Sequence, residues 1–286
     1  HVIVPSPKRE RDNPLLPALL ISMMCTLARR GLKSRYCNYR DNLRVVARLI
    51  LLRHAHSVAN EAGILSGQLP GISLSKKGFE QAELLVERIG KSSFDSIRVS
   101  PMQRCHETIA PWLASTYSQG ISDFQIDDGI IEVNYGSWSG RKLRSLSRDP
   151  LWKVIQFSPS VVKFPGGEGI KAMQARAMES IESAYASKKS GTHLFISHGD
   201  VIKAIVAKLL VMKLDNFQSL VVDPASITIL DYDGKSARLL AFNDSTSSVA
   251  PLTAMQRTPR VLLGGGSRVS KGKTSEKVIH AGKARK

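Results

Sequence analysis

Three short polar clusters in the sequence hold the residue types that bind and transfer phosphate, and each lies at the end of an apolar run. They contain Arg53-His54, Arg104 and His198. A carboxylate, Glu132, follows a further apolar pair. Guanidinium groups match phosphate oxygens with paired hydrogen bonds, a neutral imidazole can attack phosphorus, and a protonated carboxyl can give its proton to the leaving oxygen. The set therefore predicts phosphoryl-transfer chemistry.

Each of these residues also has an ordinary structural explanation. A histidine at the end of a strand is commonly a hydrogen-bonded boundary residue, Arg104 can lie on a plain helix face, and Glu132 can be a solvated turn residue. The functional interpretation is favoured because these residues occur together, in this order, at the ends of successive apolar runs. If the runs are parallel strands, their ends are where open α/β sheets bind ligands.

The elements that must position these residues alternate between strands and helices. Strands are predicted at 46–52, 96–100 and 193–197, helices after the cap Ser75 and at 102–117, 169–187 and 200–211, and a β-hairpin at 226–242. The alternation predicts an α/β fold: a three-layer sandwich with a largely parallel central sheet, helices on both faces, and the site at the carboxyl ends of the strands. An alternative places the hairpin in a separate lobe.

The order and spacing of the motifs resemble the histidine phosphatase superfamily, also called phosphoglycerate-mutase-like, through about residues 46–245. The matching motifs are L-L-R-H-x-x-S-x-x-N at 51–60, S-P-x-x-R-x-x-x-T at 100–108, an acid before Y-G-x-W-x-G at 132–140, P-G-G-E at 165–168 and S-H-G at 197–199. The stretch V-D-P-A-S at 222–226 is similar to a bacterial branch of phosphomutases and phosphatases.

The resemblance implies a role for each site residue. His54 would be the nucleophile that becomes phosphorylated, and Glu132 would be the acid for the leaving group and then the base for water. The residues implied to hold the phosphoryl group are Arg53, Asn60, Arg104 and His198. Ser66 and Gly67 would line the substrate mouth, where turn formation is the alternative, with Glu168 as a neighbour. No metal or other cofactor is expected, because the arginines supply the positive charge.

Several neighbouring residues depart from the family pattern or stay ambiguous. His56 faces the substrate mouth or is a solvated loop residue beside it. Asp200 stands where mutases often have Asn, and we predict that it caps the following helix. His106 is predicted to be either a surface residue or a residue that packs against its neighbours.

The segment after Glu132 favours a phosphatase over a mutase. It reads V-N-Y-G rather than the R-H-Y-G-like stretch of phosphoglycerate mutases, and only 32 residues separate Gly136 from Gly169, which is a short lid. We therefore predict phosphomonoester hydrolysis, with a phosphomutase as the alternative. A catalytically inactive phosphate-binding module is a weaker alternative, because every expected site residue is present. The basic residues of this segment, predicted either to attract anions or to form a solvated helix face, are Arg141, Lys142 and Arg144.

The formal net charge of +17 belongs mainly to the two ends of the chain. Residues 49–250 carry only +2, whereas 1–48 carry +7 and 251–286 carry +8. We expect a basic, poorly ordered extension at 1–45, a catalytic domain at 46–250 and a basic, disordered tail at 251–286. Nucleic acid is expected to bind at most non-specifically, through these ends.

Composition and the apolar runs set the remaining expectations. The apolar stretch at 15–27 is too short to span a bilayer and no cleavage signal follows it, so we expect no membrane association. The three cysteines show no metal-ligand spacing, and a reducing, cytoplasmic compartment is the simplest expectation. The expected partner is a small phosphorylated substrate whose identity stays open, and a homodimer is a further possibility, because relatives are often dimers.

Overall fold

The structure is a computed structural model and describes residues 45–118 and 124–251. The predictions made for the two basic ends therefore lie outside the described residues, apart from a few at their inner boundaries. Within the described ranges, every helix is too short or too polar to cross a membrane.

A six-stranded mixed sheet forms the centre of the fold. Its strands are β1 (Ala47–Arg53), β2 (Ser96–Val99), β3 (Gln125–Ile126), β4 (Thr192–Ser197), β5 (Ile227–Tyr232) and β6 (Ala237–Asp244). The spatial order is β3-β2-β4-β1-β5-β6, and the pairs β3–β2, β2–β4 and β4–β1 are parallel. This confirms the largely parallel sheet.

The predicted β-hairpin belongs to this same sheet. β5 pairs antiparallel with β1, and β6 pairs antiparallel with β5. The alternative that places the hairpin in a separate lobe is therefore wrong. The physical reason is that every residue of β5 is buried, and such a strand needs a covered neighbour on each side.

Seven α-helices are described, and they flank the sheet. They are α1 (Val58–Glu61), α2 (Lys76–Ile89), α3 (Gln103–Ala114), α4 (Leu143–Leu146), α5 (Pro150–Phe157), α6 (Ile170–Ser187) and α7 (Gly199–Leu209). As predicted, Ser75 caps α2, because its side chain accepts a hydrogen bond from the Gly78 N–H. The predicted helices at 102–117 and 200–211 extend three and two residues beyond the observed ends at Ala114 and Leu209.

The side chains of β1 point alternately to the two faces of the sheet and so take part in two separate parts of the hydrophobic core. Leu49 and Leu51 pack with apolar residues of α6 and α7, whereas Ile50 and Leu52 pack with those of α2 and α3. Each of these four side chains is almost fully buried, which stabilises the fold by roughly 1.5–3 kcal/mol per residue. The strand is thus held rigidly up to its last residue, Arg53, where the polar cluster begins.

Four of these elements, α1, β3, α4 and α5, were not predicted from the sequence. α1 is a single turn that Ser57 caps. β3 has only two residues, both exposed, so no alternation of apolar and polar residues marks it. α4 is a single turn without a side-chain cap. α5 did have a recognisable start, because Asp149 caps it and Pro150 occupies its first turn.

Candidate active site

The parallel pairing of β1 with β4 brings the first and third polar clusters together. Arg53 lies opposite Ser197 in the sheet, and the His54 N–H donates to the Ser197 carbonyl at 2.9 Å. The rings of His54 and His198 follow directly, with 5.2 Å between their centroids. Because β2 also pairs with β4, α3 carries Arg104 to the same edge of the sheet.

His54 is held as a neutral base. Its Nδ1 lies 2.7 Å from the Ala55 carbonyl oxygen, which can only accept, so Nδ1 carries the proton and Nε2 keeps its lone pair. Burial lowers the pKa of His54 well below 6.5, and the charges of Arg104 and Arg53 lower it further. The imidazole is therefore unprotonated and nucleophilic at neutral pH.

The two arginines present buried hydrogen-bond donors that no group in the described part of the chain satisfies. Nη1 of Arg53 donates to the Val222 carbonyl at 2.5 Å, and Nη2 of Arg104 donates to the Gly67 carbonyl at 2.9 Å. Among the described residues, Nε of Arg53 and both Nε and Nη1 of Arg104 are buried without a hydrogen-bond partner. Leaving such charged donors unsatisfied is costly, and a phosphate group would satisfy them.

His198 lies fully buried behind Arg104. Its Nδ1 is 3.2 Å from Nη2 of Arg104 and 3.7 Å from Oε2 of Glu132, while its Nε2 is 2.7 Å from the Ser100 hydroxyl. Because the guanidinium can only donate, Nδ1 accepts from it and Nε2–H donates to Ser100 in the neutral ring. Burial, followed by the charge of Arg104, lowers the pKa of His198 well below 6.5.

We call the group of Arg53, His54, Arg104 and His198 the phosphate floor. Glu132 adjoins it with a carboxyl group that is only 12% exposed. Burial raises the pKa of Glu132 to about 7, and the negative charge of Asp200 adds to the rise, against the opposing charges of Arg104 and Arg53. A carboxyl group with this pKa can both give and take a proton near neutral pH.

Arg176 holds the loop that carries Glu132. Its guanidinium donates to the carbonyl oxygens of Gly129, Ile131 and Glu132, at 2.8, 2.8 and 3.1 Å. Glu168 anchors it in turn, with Oε1 at 2.7 Å from Nη2. Glu168 therefore faces Arg176 and is absent from the cavity lining, although the sequence placed it beside the substrate.

Arg53 and His54 of the phosphate floor line a cavity of about 430 Å³, together with other predicted site residues, whereas Arg104 and His198 lie outside its lining. Asn60, Ser66 and Gly67 all line it. Oδ1 of Asn60 accepts from the Ser57 N–H and hydroxyl, which leaves its Nδ2 for a substrate. Gly67 has φ +50°, and an added Cβ would lie 2.9 Å from Tyr135, so a larger residue would disturb the loop.

Asp200 is the functional residue that the sequence prediction placed wrongly. It does not cap α7, whose N-cap is His198; it lies in the first turn, inside the cavity lining. Its Oδ1 pairs with Lys203 Nζ at 2.8 Å, and its Oδ2 accepts from the Tyr135 hydroxyl at 2.9 Å. The i, i+3 spacing of Asp200 and Lys203 was a readable signal, because residues three apart share a helix face.

The remaining ambiguous residues lie outside the cavity lining. His56 Nδ1 is 2.8 Å from the Ser75 hydroxyl, so this ring faces the start of α2. His106 packs edge-on against Phe124, as the packing prediction expected. The three basic residues Arg141, Lys142 and Arg144 are all exposed. Within the described ranges, no group of three or more His, Cys, Asp or Glu side chains is placed to hold a metal ion.

Comparison with known proteins agrees with this geometry. Residues 49–245 match the model of the histidine phosphatase superfamily, branch 1. The chain is 27% identical to phosphoserine phosphatase 1 of Hydrogenobacter thermophilus over 69% of its length and 92% of the relative. It is also 27% identical to a 2,3-bisphosphoglycerate-dependent phosphoglycerate mutase of Thermoplasma acidophilum, over 64% of this chain and 86% of the relative.

A solved structure shows the same fold. The α-ribazole phosphatase of Shigella flexneri superposes with a TM-score of 0.62 at 25% identity, over 71% of this chain and 98% of that protein. The family match spans more than half of the chain, and the relatives are phosphatases and phosphomutases. The chain therefore belongs to the histidine phosphatase superfamily, and it is an enzyme of the phosphatase or phosphomutase kind.

Proposed function

We propose that this chain hydrolyses small phosphomonoesters through a phosphohistidine on His54, with Glu132 as the general acid and base. The observation that carries the proposal is the phosphate floor, in which a neutral imidazole lies among buried guanidinium donors without partners. A phosphoryl group is the ligand that such donors match, and the imidazole is the nucleophile beside it.

In the first step, Nε2 of His54 attacks the phosphorus of the ester. The N–P bond forms as the bond from phosphorus to the ester oxygen breaks, and protonated Glu132 gives its proton to that oxygen. The product alcohol then leaves. The ring can form the new bond because the Ala55 carbonyl holds the proton on Nδ1.

In the second step, water attacks the phosphorus of the phosphohistidine. Glu132, now a carboxylate, takes a proton from the water as the new P–O bond forms and the N–P bond breaks. Inorganic phosphate is released, and both His54 and Glu132 return to their starting protonation states. A pKa of about 7 allows Glu132 to serve in both steps.

Positive and polar groups stabilise the charge of the phosphoryl group in both steps of its transfer. Arg53, Arg104 and Asn60 offer donors to its equatorial oxygens, and His198 fixes Arg104 from behind. Preorganised donors of this kind act without reorganisation during the reaction. Because the two guanidinium groups supply positive charge, we propose that turnover needs no metal.

The cytoplasmic location and the homodimer stay predictions.

The residues at the mouth of the cavity favour hydrolysis of the phosphohistidine over transfer of its phosphoryl group to a second substrate molecule. Among residues 137–168, which form the lid segment, only Leu143 lines the cavity. Leu143, Val221 and Asp223 are exposed at its lining, so water reaches the floor. Phosphoglycerate mutation stays the second candidate, because the mutase of Thermoplasma acidophilum is also 27% identical to this chain, although over less of its length than the phosphoserine phosphatase.

A product assay tests the proposal. Purified protein is incubated with a panel of phosphomonoesters and with 3-phosphoglycerate plus 2,3-bisphosphoglycerate, and both inorganic phosphate and isomerised product are measured. We expect phosphate release, a fall of about 10⁴-fold in His54→Ala, and no effect in the control His106→Ala. Isomerisation without phosphate release would show a mutase, and full activity in His54→Ala would refute the mechanism.

A further inference from the structure

Beyond the phosphate floor, six of the residues that line the cavity are apolar, beside the polar Asp200, Lys203, Gln218 and Asp223. The apolar residues come from three segments of the chain and are Ile64, Leu65, Leu143, Leu220, Val221 and Val222. We call these six residues the outer wall. Backbone hydrogen bonds tie the first two segments together, since the Leu143 N–H donates to Gly63 and the Leu65 N–H donates to Arg141.

Two residues of the outer wall remain largely in water. Leu143 is 39% exposed and Val221 is 60% exposed, although both line the cavity. An exposed apolar side chain is ordinary when it stands alone, but two at the mouth of one cavity form an apolar surface that a ligand can cover. The contact would remove both side chains from water, which is favourable for an apolar ligand.

The positive charge in this part of the cavity is already engaged. Beyond Arg53 on the floor, Lys203 is the one Lys or Arg among the described residues that lines the cavity. Its Nζ lies 2.8 Å from Asp200 Oδ1 and 2.9 Å from Gln218 Oε1, and it stands over the Phe217 ring. A substrate carboxylate would have to compete with Asp200 for this ammonium group.

Negative charge in the cavity also disfavours a second anionic group on the substrate. Asp200 and Asp223 both line the cavity, and Asp223 is exposed there. Hydrogen bonding to Asn243 holds the Asp223 side chain in place, at 2.7 Å. Like charges within one cavity repel, so a second anionic group on the substrate would be selected against.

From these contacts we propose that the outer wall is a leaving-group subsite for phosphomonoesters of apolar, uncharged alcohols. The inference rests on the proposed hydrolysis and adds the class of substrate. Small esters with a carboxylate on the leaving group, such as 3-phosphoglycerate, are then poor substrates.

Three esters with alkyl leaving groups separate the possibilities. The alcohol that leaves is apolar in benzyl phosphate, polar and uncharged in glycerol 3-phosphate, and carries a carboxylate in 3-phosphoglycerate. We expect kcat/KM to be about tenfold higher for benzyl phosphate than for glycerol 3-phosphate, and lowest for 3-phosphoglycerate. The ratio between the first two esters measures the apolar subsite, because the bond that breaks is of the same kind.

Matched variants locate the effect on the outer wall. Leu143→Ser and Val221→Ser should each reduce the ratio by roughly threefold to tenfold, mainly through KM for benzyl phosphate. Leu84→Ser and Val161→Ser replace exposed residues of the same types away from the cavity, and they should leave the ratio unchanged.

Two results would overturn the inference while leaving the proposed hydrolysis intact. One is equal or faster hydrolysis of glycerol 3-phosphate or 3-phosphoglycerate by the wild-type protein. The other is an unchanged ratio in both Leu143→Ser and Val221→Ser. If none of the three esters releases phosphate, the proposed hydrolysis itself fails, and the subsite assignment fails with it.

Discussion

At the phosphate floor, Arg53 and Arg104 keep buried donors without partners among the described residues, whereas Arg48, five residues before Arg53, forms an ion pair with Asp231. Nε of Arg48 donates to Asp231 Oδ1 at 2.9 Å, and Nη2 lies at the same distance from that oxygen. Arg48 and Arg53 even belong to the same strand. The difference teaches that burial alone does not mark a site. Arg98 is also buried with an open Nε, but Asp127 pairs with its charge, whereas Arg53 and Arg104 have open donors and no carboxylate ion pair among the described residues.

For this contrast, the largest expected effect comes from removing one arginine of each kind. Arg104→Met should lower kcat/KM by about 10³-fold and change the free energy of unfolding by less than about 1 kcal/mol, because its open donors stabilise a ligand more than the fold. Arg48→Met should leave kcat/KM of the folded protein nearly unchanged but destabilise it by about 3 kcal/mol, since Asp231 loses its main partner.

Denaturant unfolding and steady-state kinetics on both variants check this contrast. Added inorganic phosphate sharpens it, because a ligand that binds only the folded state raises Tm. The rise should persist in Arg48→Met and largely vanish in Arg104→Met. Equal losses of activity and stability in the two variants would show that the two arginines do not differ in role.

The next largest effect concerns the proton that Glu132 supplies. Glu132→Gln should lower kcat/KM by about 10²-fold for an alkyl ester, whose alkoxide leaves poorly without a proton. It should affect p-nitrophenyl phosphate much less in this first step, because nitrophenolate needs no acid.

Rapid-mixing kinetics with p-nitrophenyl phosphate give a second readout of the same variant. Since Glu132→Gln also lacks the base for the attacking water, a burst of nitrophenolate should precede slow turnover. Equal losses with both esters and no burst would place Glu132 outside the proton transfers.

Much of this site could be predicted from the sequence because its parts are local. Arg53 is the last residue of a strand of seven residues, His54 directly follows it, and His198 follows another strand, so the apolar runs themselves mark where the polar side chains emerge. The parallel pairing of these strands then brings the residues together. The same reasoning led to the largely parallel sheet.

The features that were missed depend on contacts between distant parts of the chain. Asp200 accepts a hydrogen bond from Tyr135, 65 residues away. This bond and the ion pair with Lys203 hold its carboxylate in the cavity rather than at the helix N-cap. Glu168 binds Arg176, which faces three carbonyl groups of another loop. Neither partner choice follows from local propensity, because several polar residues compete for each position.

A smaller effect is expected on the pH profile. The negative charge of Asp200 raises the pKa of Glu132, so its removal in Asp200→Asn should lower that pKa. Because the first step needs Glu132 protonated, the alkaline limb of kcat/KM should move to lower pH, by up to about one unit.

The variant Lys203→Gln provides the opposite change. Without the ammonium group, the charge of Asp200 is less compensated, so the alkaline limb should move to higher pH by a smaller amount. The groups that face Glu132 besides Asp200 are Arg53, His54, Arg104, Cys105, Tyr135, Arg176 and His198. They are unchanged in both variants. Shifts of the same sign in the two variants would point to loss of structure rather than charge.

The central claim is that His54 carries the phosphoryl group, and trapping that group tests it most directly. The wild-type protein and Glu132→Gln are mixed with ³²P-labelled substrate, quenched in alkali, digested and mapped by peptide. The account predicts a label that is stable in alkali and lost in acid, located on His54, and more abundant in Glu132→Gln. A label on another residue, or full turnover with none on His54, would contradict it.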